Sequence, residues 1–190
     1  VFSALVILGG IKSIAKAATV IVPVMAVGYV AGGLVIILNN LELVIPALEL
    51  IFKDAFTGEA VAGGAIGAVI RYGVARGVFS NEAGMGSAPI AAAAAKTDHP
   101  ARQGLVSMTG TFIDTIIVCS ITGIVLVMGF IMAGNTFGTE TGAVLTTHVF
   151  DRLLPGVGGW VVTLGIIFFA YSTILGWCYY GEKCCTYIFG

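Results

Sequence analysis

The sequence predicts an all-α membrane protein that contains one discontinuous helix, and three observations carry that prediction. Apolar residues make up 58% of the 190 and charged residues only 10%, far below the roughly 25% charge of an ordinary soluble chain. Mean hydropathy is +1.03, and long uncharged windows recur at 17–41, 115–139 and 153–181. A further apolar window, Gly77 to Ala95, is interrupted by Glu82 and by the helix breakers Gly84, Gly86 and Pro89.

Each window is judged by length, since a spanning helix needs about 20 mostly apolar residues. Val1 to Gly10 reads as the tail of a preceding span, and 17–41 as the first full one. In Leu41 to Gly58, Val44, Leu48, Ile51 and Ala55 share a helical stripe opposite Glu42, Glu49 and Lys53. That pattern predicts an amphipathic helix lying in the membrane interface. The stretch 71–95 reads as a discontinuous span, 105–133 and 156–181 as continuous ones. Thr139 to Leu154 is a second, shorter amphipathic segment, with His148, Asp151 and Arg152 among Val144, Leu145, Val149 and Phe150. The sequence opens inside an apolar run and closes on Tyr187-Ile188-Phe189-Gly190, which reads as a segment of a longer chain.

Charge sets the orientation. Lys12, Lys16, Lys96, Arg102 and Lys183 fall in loops that alternate with those holding Glu42, Glu49, Asp54, Glu59, Glu140 and Asp151. The positive-inside rule places the basic loops in the cytoplasm, as expected for a multi-pass protein of the cell's inner membrane. The net charge of −1 and the absence of a basic cluster argue against a nucleic-acid partner. Cys119, Cys178, Cys184 and Cys185 form no metal-type spacing with His99 or His148 and read as reduced packing thiols. Both histidines are assigned to loops, in solvated roles.

The chemistry concentrates in RYGVARGVFSNEAGMGSAPIAAAAAKTDHP, Arg71 to Pro100. Ser80, Asn81, Glu82 and Ser87 stand among three helix breakers. Broken backbone inside a membrane is tolerated only where it lines a protein-walled cavity. Its freed N–H groups attract a carboxylate, and its freed carbonyls can hold a cation. Glu82 is either a structural partner of Arg71 or Arg76 or a direct contact to cation or substrate; an intramembrane acid defaults to function. Asp114, alone in an apolar helix, either pairs with one of the same arginines or lies high in the interface. Trp177 is either a wall of a small pocket or an interfacial anchor, and Trp160 reads as part of the aromatic belt.

Three function classes compete. A channel needs a continuous polar face, which the clean spans lack. An intramembrane enzyme needs paired acids, a His–Glu zinc pattern or a serine–base pair, and the spans hold only Glu82 and Asp114 as acids and no histidine. A secondary transporter, cation-coupled, fits best, and no enzyme activity is expected.

The run GVFSNEAGMGSAPIAAAAAKTDHPARQG, Gly77 to Gly104, resembles the signature region of the alanine or glycine:cation symporter family. The flanking RYGVARG and Phe112-Ile113-Asp114-Thr115 agree with it, while Ala92 stands where the family pattern carries histidine. The resemblance implies the amino acid-polyamine-cation superfamily and a LeuT-like inverted repeat. Under it, 17–41 is the fifth helix, Ser80 to Gly86 the unwound part of the sixth, Gln103 to Ala133 the seventh and Gly156 to Gly181 the eighth. It further implies symport of alanine or glycine with Na⁺, sometimes H⁺, as coupling ion and with no cofactor. Ser80, Asn81, Glu82, Ala83, Gly84, Gly86 and Trp177 are the implied substrate-binding residues. The carbonyl of Ala170 with the hydroxyls of Ser172 and Thr173 would form part of a sodium site. By the residues alone, those hydroxyls equally suit bonds to their own helix carbonyls.

Overall fold

The computed structural model describes residues 2–56, 75, 77, 78, 80–82, 84–133 and 140–190, all in helices and short connections. Among the described residues, three helices are long and apolar enough to cross a membrane: α2 (Gly10–Asn39), α5 (Pro100–Ala133) and α7 (Gly158–Phe189). Around them lie α1 (Phe2–Leu8), α3 (Leu41–Phe56), α4 (Ala88–Ala92) and α6 (Gly142–Leu153). Each long helix outruns its apolar window. At 1.5 Å per residue, the 32 residues of α7 extend about 48 Å, against roughly 30 Å of hydrocarbon. Lys12, Lys16 and Lys183 therefore lie on helical turns rather than in the loops that charge counting gives them.

Two apolar clusters hold the helices. In the first, Tyr29 and Ile36 of α2 meet Ala47 of α3, Ile121, Val125 and Met128 of α5, Val149 and Phe150 of α6, and Val162 of α7. In the second, Ile14 of α2 meets Leu175 and Tyr179 of α7, with Ile90 of α4 packed alongside. Early α2 residues thus contact late α7 residues and the reverse, so these two helices run antiparallel. The α2–α5 contacts keep the same order along both chains, so that pair runs parallel. Lys12, Lys16, Arg102 and Lys183 consequently sit toward one end of the bundle.

Close approach depends on an adjacent glycine pair. A Cβ on Gly32 would stand 2.7 Å from Val161 Cγ1 of α7, and one on Gly33 would overlap Ile121 of α5. Small residues of this kind let membrane helices pack where no hydrophobic effect drives them together. Tyr29 joins four helices from the centre of the first cluster. Its ring stacks on Phe150 at 5.5 Å and meets Phe169 edge-on at 6.5 Å, while its hydroxyl hydrogen-bonds Thr122 Oγ1 at 2.7 Å.

Helix α3 is amphipathic about the predicted stripe. Val44, Leu48 and Ile51 are half-buried and Glu42, Glu49 and Lys53 exposed, but the fully buried centre of the stripe is Ala47. The side chain of Ala55 lies outside the described residues. In α6, Val149, Phe150 and Leu153 are buried. His148 is on this helix rather than in a loop, and its Nδ1 is 2.6 Å from Glu140 Oε2. His99 caps α5, its Nδ1 accepting from the Ala101 N–H at 3.2 Å. The four cysteines are free thiols.

Candidate functional site

Helical backbone reaches Asn81 and stops. Glu82 then turns to φ +53°, Gly84 to +75° and Gly86 to +80°. Left-handed backbone is easy for glycine and costly for glutamate, so Glu82 is held there by its surroundings. Helix resumes at α4 with Pro89 in its first turn, where a missing N–H does no harm.

The two sides of this break are tied to different spans. On the near side, Ser80 Oγ donates to Asp114 Oδ2 at 2.6 Å and Asn81 Nδ2 donates to Thr115 Oγ1 at 2.8 Å. Both acceptors belong to α5 and fall within a stretch of wider, π-type turns, Phe112–Cys119. Such insertions are frequent at functional sites. The second Asn81 amide hydrogen goes to the Gly77 carbonyl at 3.1 Å. Asn81 Oδ1 is buried with no hydrogen-bond partner among the described residues. On the far side, the Glu82 carboxylate accepts from Ser87 Oγ at 2.7 Å, and the Tyr180 hydroxyl of α7 neighbours the same carboxyl. Ser87, 8% exposed, is the one buried polar residue among those described.

Two grooves flank these contacts. One, of about 480 Å³, is lined by Val78, Asn81, Phe112 and Thr115 among others. The other, about 730 Å³ and almost wholly apolar, runs between α2 and α5 with Asp114 in its wall.

Of the residues singled out from the sequence, Ser80, Asn81 and Glu82 come together with Asp114 at the break. Ala83, Arg71 and Arg76 lie outside the described residues. Trp177 meets Tyr180 edge-on at 5.8 Å and so stands one aromatic ring behind the Glu82 carboxyl. Ser172 Oγ and Thr173 Oγ1 both donate to the Phe169 carbonyl, at 3.0 and 2.8 Å. Their donors are used within the helix, while their oxygen lone pairs stay available. Thr115 and Tyr180 escaped the sequence reading. Thr115 follows the flagged Asp114, and Tyr180 stands three positions after Trp177 on one face of α7, so both adjoin residues already marked.

The sequence model of one family, described as the sodium:alanine symporter family, matches residues 1–190. The chain belongs to that family. It is a family of transporters, not enzymes. A sodium/alanine symporter of Methanococcus maripaludis, AgcS, is 60% identical over 190 residues, covering all of this chain and 42% of the relative. A sodium/proton-dependent alanine carrier protein of Bacillus strain PS3 is 37% identical over 96% of the chain and 43% of the relative. A probable sodium/glutamine symporter of Bacillus subtilis, GlnT, is 41% identical over 93% of the chain and 36% of the relative. The chain thus spans about two-fifths of the length of such relatives.

Proposed function

We propose that this chain is part of a sodium-coupled symporter that carries small neutral amino acids, alanine and glycine foremost, by alternating access. The observation that carries this reading is the break itself: left-handed backbone at Glu82, Gly84 and Gly86, edged by polar side chains and set between two spans. A zwitterionic amino acid brings a carboxylate for the freed N–H groups and an ammonium for carbonyl and carboxylate oxygens. Ser80, Asn81, Glu82, Ala83, Gly84 and Gly86 form this chain's share of the substrate site, with Trp177 limiting its size through Tyr180.

Sodium is the second cargo. Hard oxygen ligands suit it, and the Ala170 carbonyl with the oxygens of Ser172 and Thr173 offers such a set within one turn of α7. In a LeuT-like repeat, α2 corresponds to the fifth helix, the broken segment to the sixth, α5 to the seventh and α7 to the eighth. The end carrying Lys12, Lys16, Arg102 and Lys183 faces the cytoplasm of a cell whose inner membrane the protein spans.

The test uses the full-length parent in proteoliposomes and tritiated alanine, with and without an inward Na⁺ gradient and with glycine and glutamine as competitors. Uptake that requires Na⁺, is competed by glycine and is lost in Glu82→Gln supports the reading. A shift in Na⁺ dependence in Thr173→Ala supports the α7 ion site, and an unchanged one removes that site alone. Folded protein that takes up no alanine or glycine in either ion condition overturns the substrate assignment.

A further inference from the structure

We propose that Asp114 and Thr115 are positioning residues. By consuming the hydrogen-bond donors of Ser80 and Asn81, they leave the near side of the break with acceptors only, ready for the positive charge of the cargo. The inference rests on the transport reading above and adds to it two α5 residues and a polarity.

The bookkeeping of protons is forced by the partners. An ionised carboxylate only accepts, so the bond at 2.6 Å commits the Ser80 proton to Asp114. The Gly77 carbonyl also only accepts, so the Asn81 group 3.1 Å from it is the amide nitrogen. The other amide hydrogen is spent on Thr115 Oγ1 at 2.8 Å. What remains on Ser80 is its pair of oxygen lone pairs, and on Asn81 the oxygen Oδ1, buried and without a partner among the described residues. A buried carbonyl oxygen left bare is unfavourable until something positive or donating meets it. The ammonium of an amino acid and an alkali cation share that chemistry.

The local geometry fits this role better than it fits simple helix gluing. Two neighbouring residues of α5 engage two neighbouring residues of the broken helix, and they do so inside the widened turns of Phe112–Cys119. A single Ser or Thr bridge suffices to join membrane helices. An aspartate in a span is far more costly than that task requires, and such acids default to function.

The experiment compares the full-length parent with Asp114→Asn, Thr115→Val and Thr115→Ser in proteoliposomes, measuring initial alanine uptake against alanine and against Na⁺. Asp114→Asn can donate to Ser80 and turn its proton toward the cargo; Thr115→Val frees one Asn81 hydrogen. Each is expected to raise either the alanine KM or the Na⁺ half-saturation about tenfold, the effect of one misdirected hydrogen bond. Maximal rate per folded transporter should change far less. The parameter that moves identifies which cation the acceptors face. Thr115→Ser, which returns the oxygen, should restore the lost affinity, and Ser80→Ala should add nothing on top of Asp114→Asn. Where Asp114→Asn fails to reach the membrane, the Val and Ser pair carries the test. Unchanged affinities in Thr115→Val, a fall in maximal rate alone, or no rescue by serine would overturn the proposal while leaving the transport reading in place. A wild-type parent with no Na⁺-dependent uptake overturns both.

Discussion

Glu82 is a residue whose backbone and side chain pull in opposite directions, and the balance between them can be measured. At φ +53° a glutamate carries about 1–2 kcal/mol of left-handed strain, which Glu82→Gly would release. The same substitution removes the carboxylate that accepts from Ser87 at 2.7 Å. Leaving the hydroxyl of that buried serine without a partner costs about 1–3 kcal/mol. In the wild-type background the loss wins by about 0.5 kcal/mol, the difference of the two midpoints, plus a small term for the Tyr180 contact that is also lost. In a Ser87→Ala, Tyr180→Phe background the carboxylate has lost its described partners, so only the strain term remains. There Glu82→Gly should stabilise by about 1–2 kcal/mol. The assay is thermal unfolding of the detergent-solubilised full-length parent across the four corners of this cycle. A glycine that destabilises equally in both backgrounds would refute the reasoning, because the side-chain contacts could not then be what holds the left-handed turn.

Further expectations concern packing and orientation. Gly158→Ala places a Cβ into the Phe150 carbonyl and 2.9 Å from the Asp151 nitrogen, backbone atoms that cannot rotate away; it should cost about 1–3 kcal/mol. Gly28→Ala, with nothing within 4 Å, should be neutral or stabilising in the same unfolding assay. Tyr29→Phe and Thr122→Val each delete one side of a 2.7 Å bond, so each should cost about 0.6–1.7 kcal/mol, and the double variant little more than either. Cys184 and Cys185, exposed near the end of α7 beside Lys183, should react with a membrane-impermeant maleimide only from the cytoplasmic face. Labelling from outside intact cells would invert the assigned orientation.

What could be read from the sequence follows from which signals are local. Apolar length marks the cores of α2, α5 and α7 without reference to partners, and the run Ser80 to Pro89 announces a break because glycine, proline and an acid in hydrocarbon each have a local meaning. The apolar stripe of α3 was legible for the same reason, although alanine is too neutral in hydropathy for Ala47 to stand out as its centre. The partner of Asp114 was not legible. Charge alone suggests Arg71 or Arg76, which lie outside the described residues, and gives no hint of the Ser80 hydroxyl, a neutral group 34 positions away. The widened turns of Phe112–Cys119 left no mark either, since they depend on how α5 meets its neighbours. Lys12 and Lys16 were placed before the first span because hydropathy locates the membrane, whereas hydrogen bonding sets where a helix starts.

The location of the break relative to the packing explains how one chain can be both rigid and polar inside a membrane. The cluster around Tyr29, Ile36 and Phe150 fixes α2, α3, α5, α6 and α7 toward one end. The cluster around Ile14, Leu175 and Tyr179 fixes α2 and α7 toward the other and captures Ile90 of α4. Among the described residues, none from Ser80 to Ser87 joins either cluster, and Ser80, Asn81, Glu82 and Ser87 are tied by directional hydrogen bonds. Hydrogen bonds between membrane helices are individually weak, so under the proposed transport function this stretch would exchange partners on cargo binding without disturbing either cluster. The near side answers to α5 through Asp114 and Thr115, the far side to α7 through Tyr180 and to α2 through Ile90. Under the proposed transport function, a cargo bound between them would touch both holding groups at once, and any difference in its fit to the two sides would become a force between α5 and the α2–α7 pair. Substitutions inside the clusters should accordingly change stability with little effect on ion dependence, and those between the clusters should do the opposite.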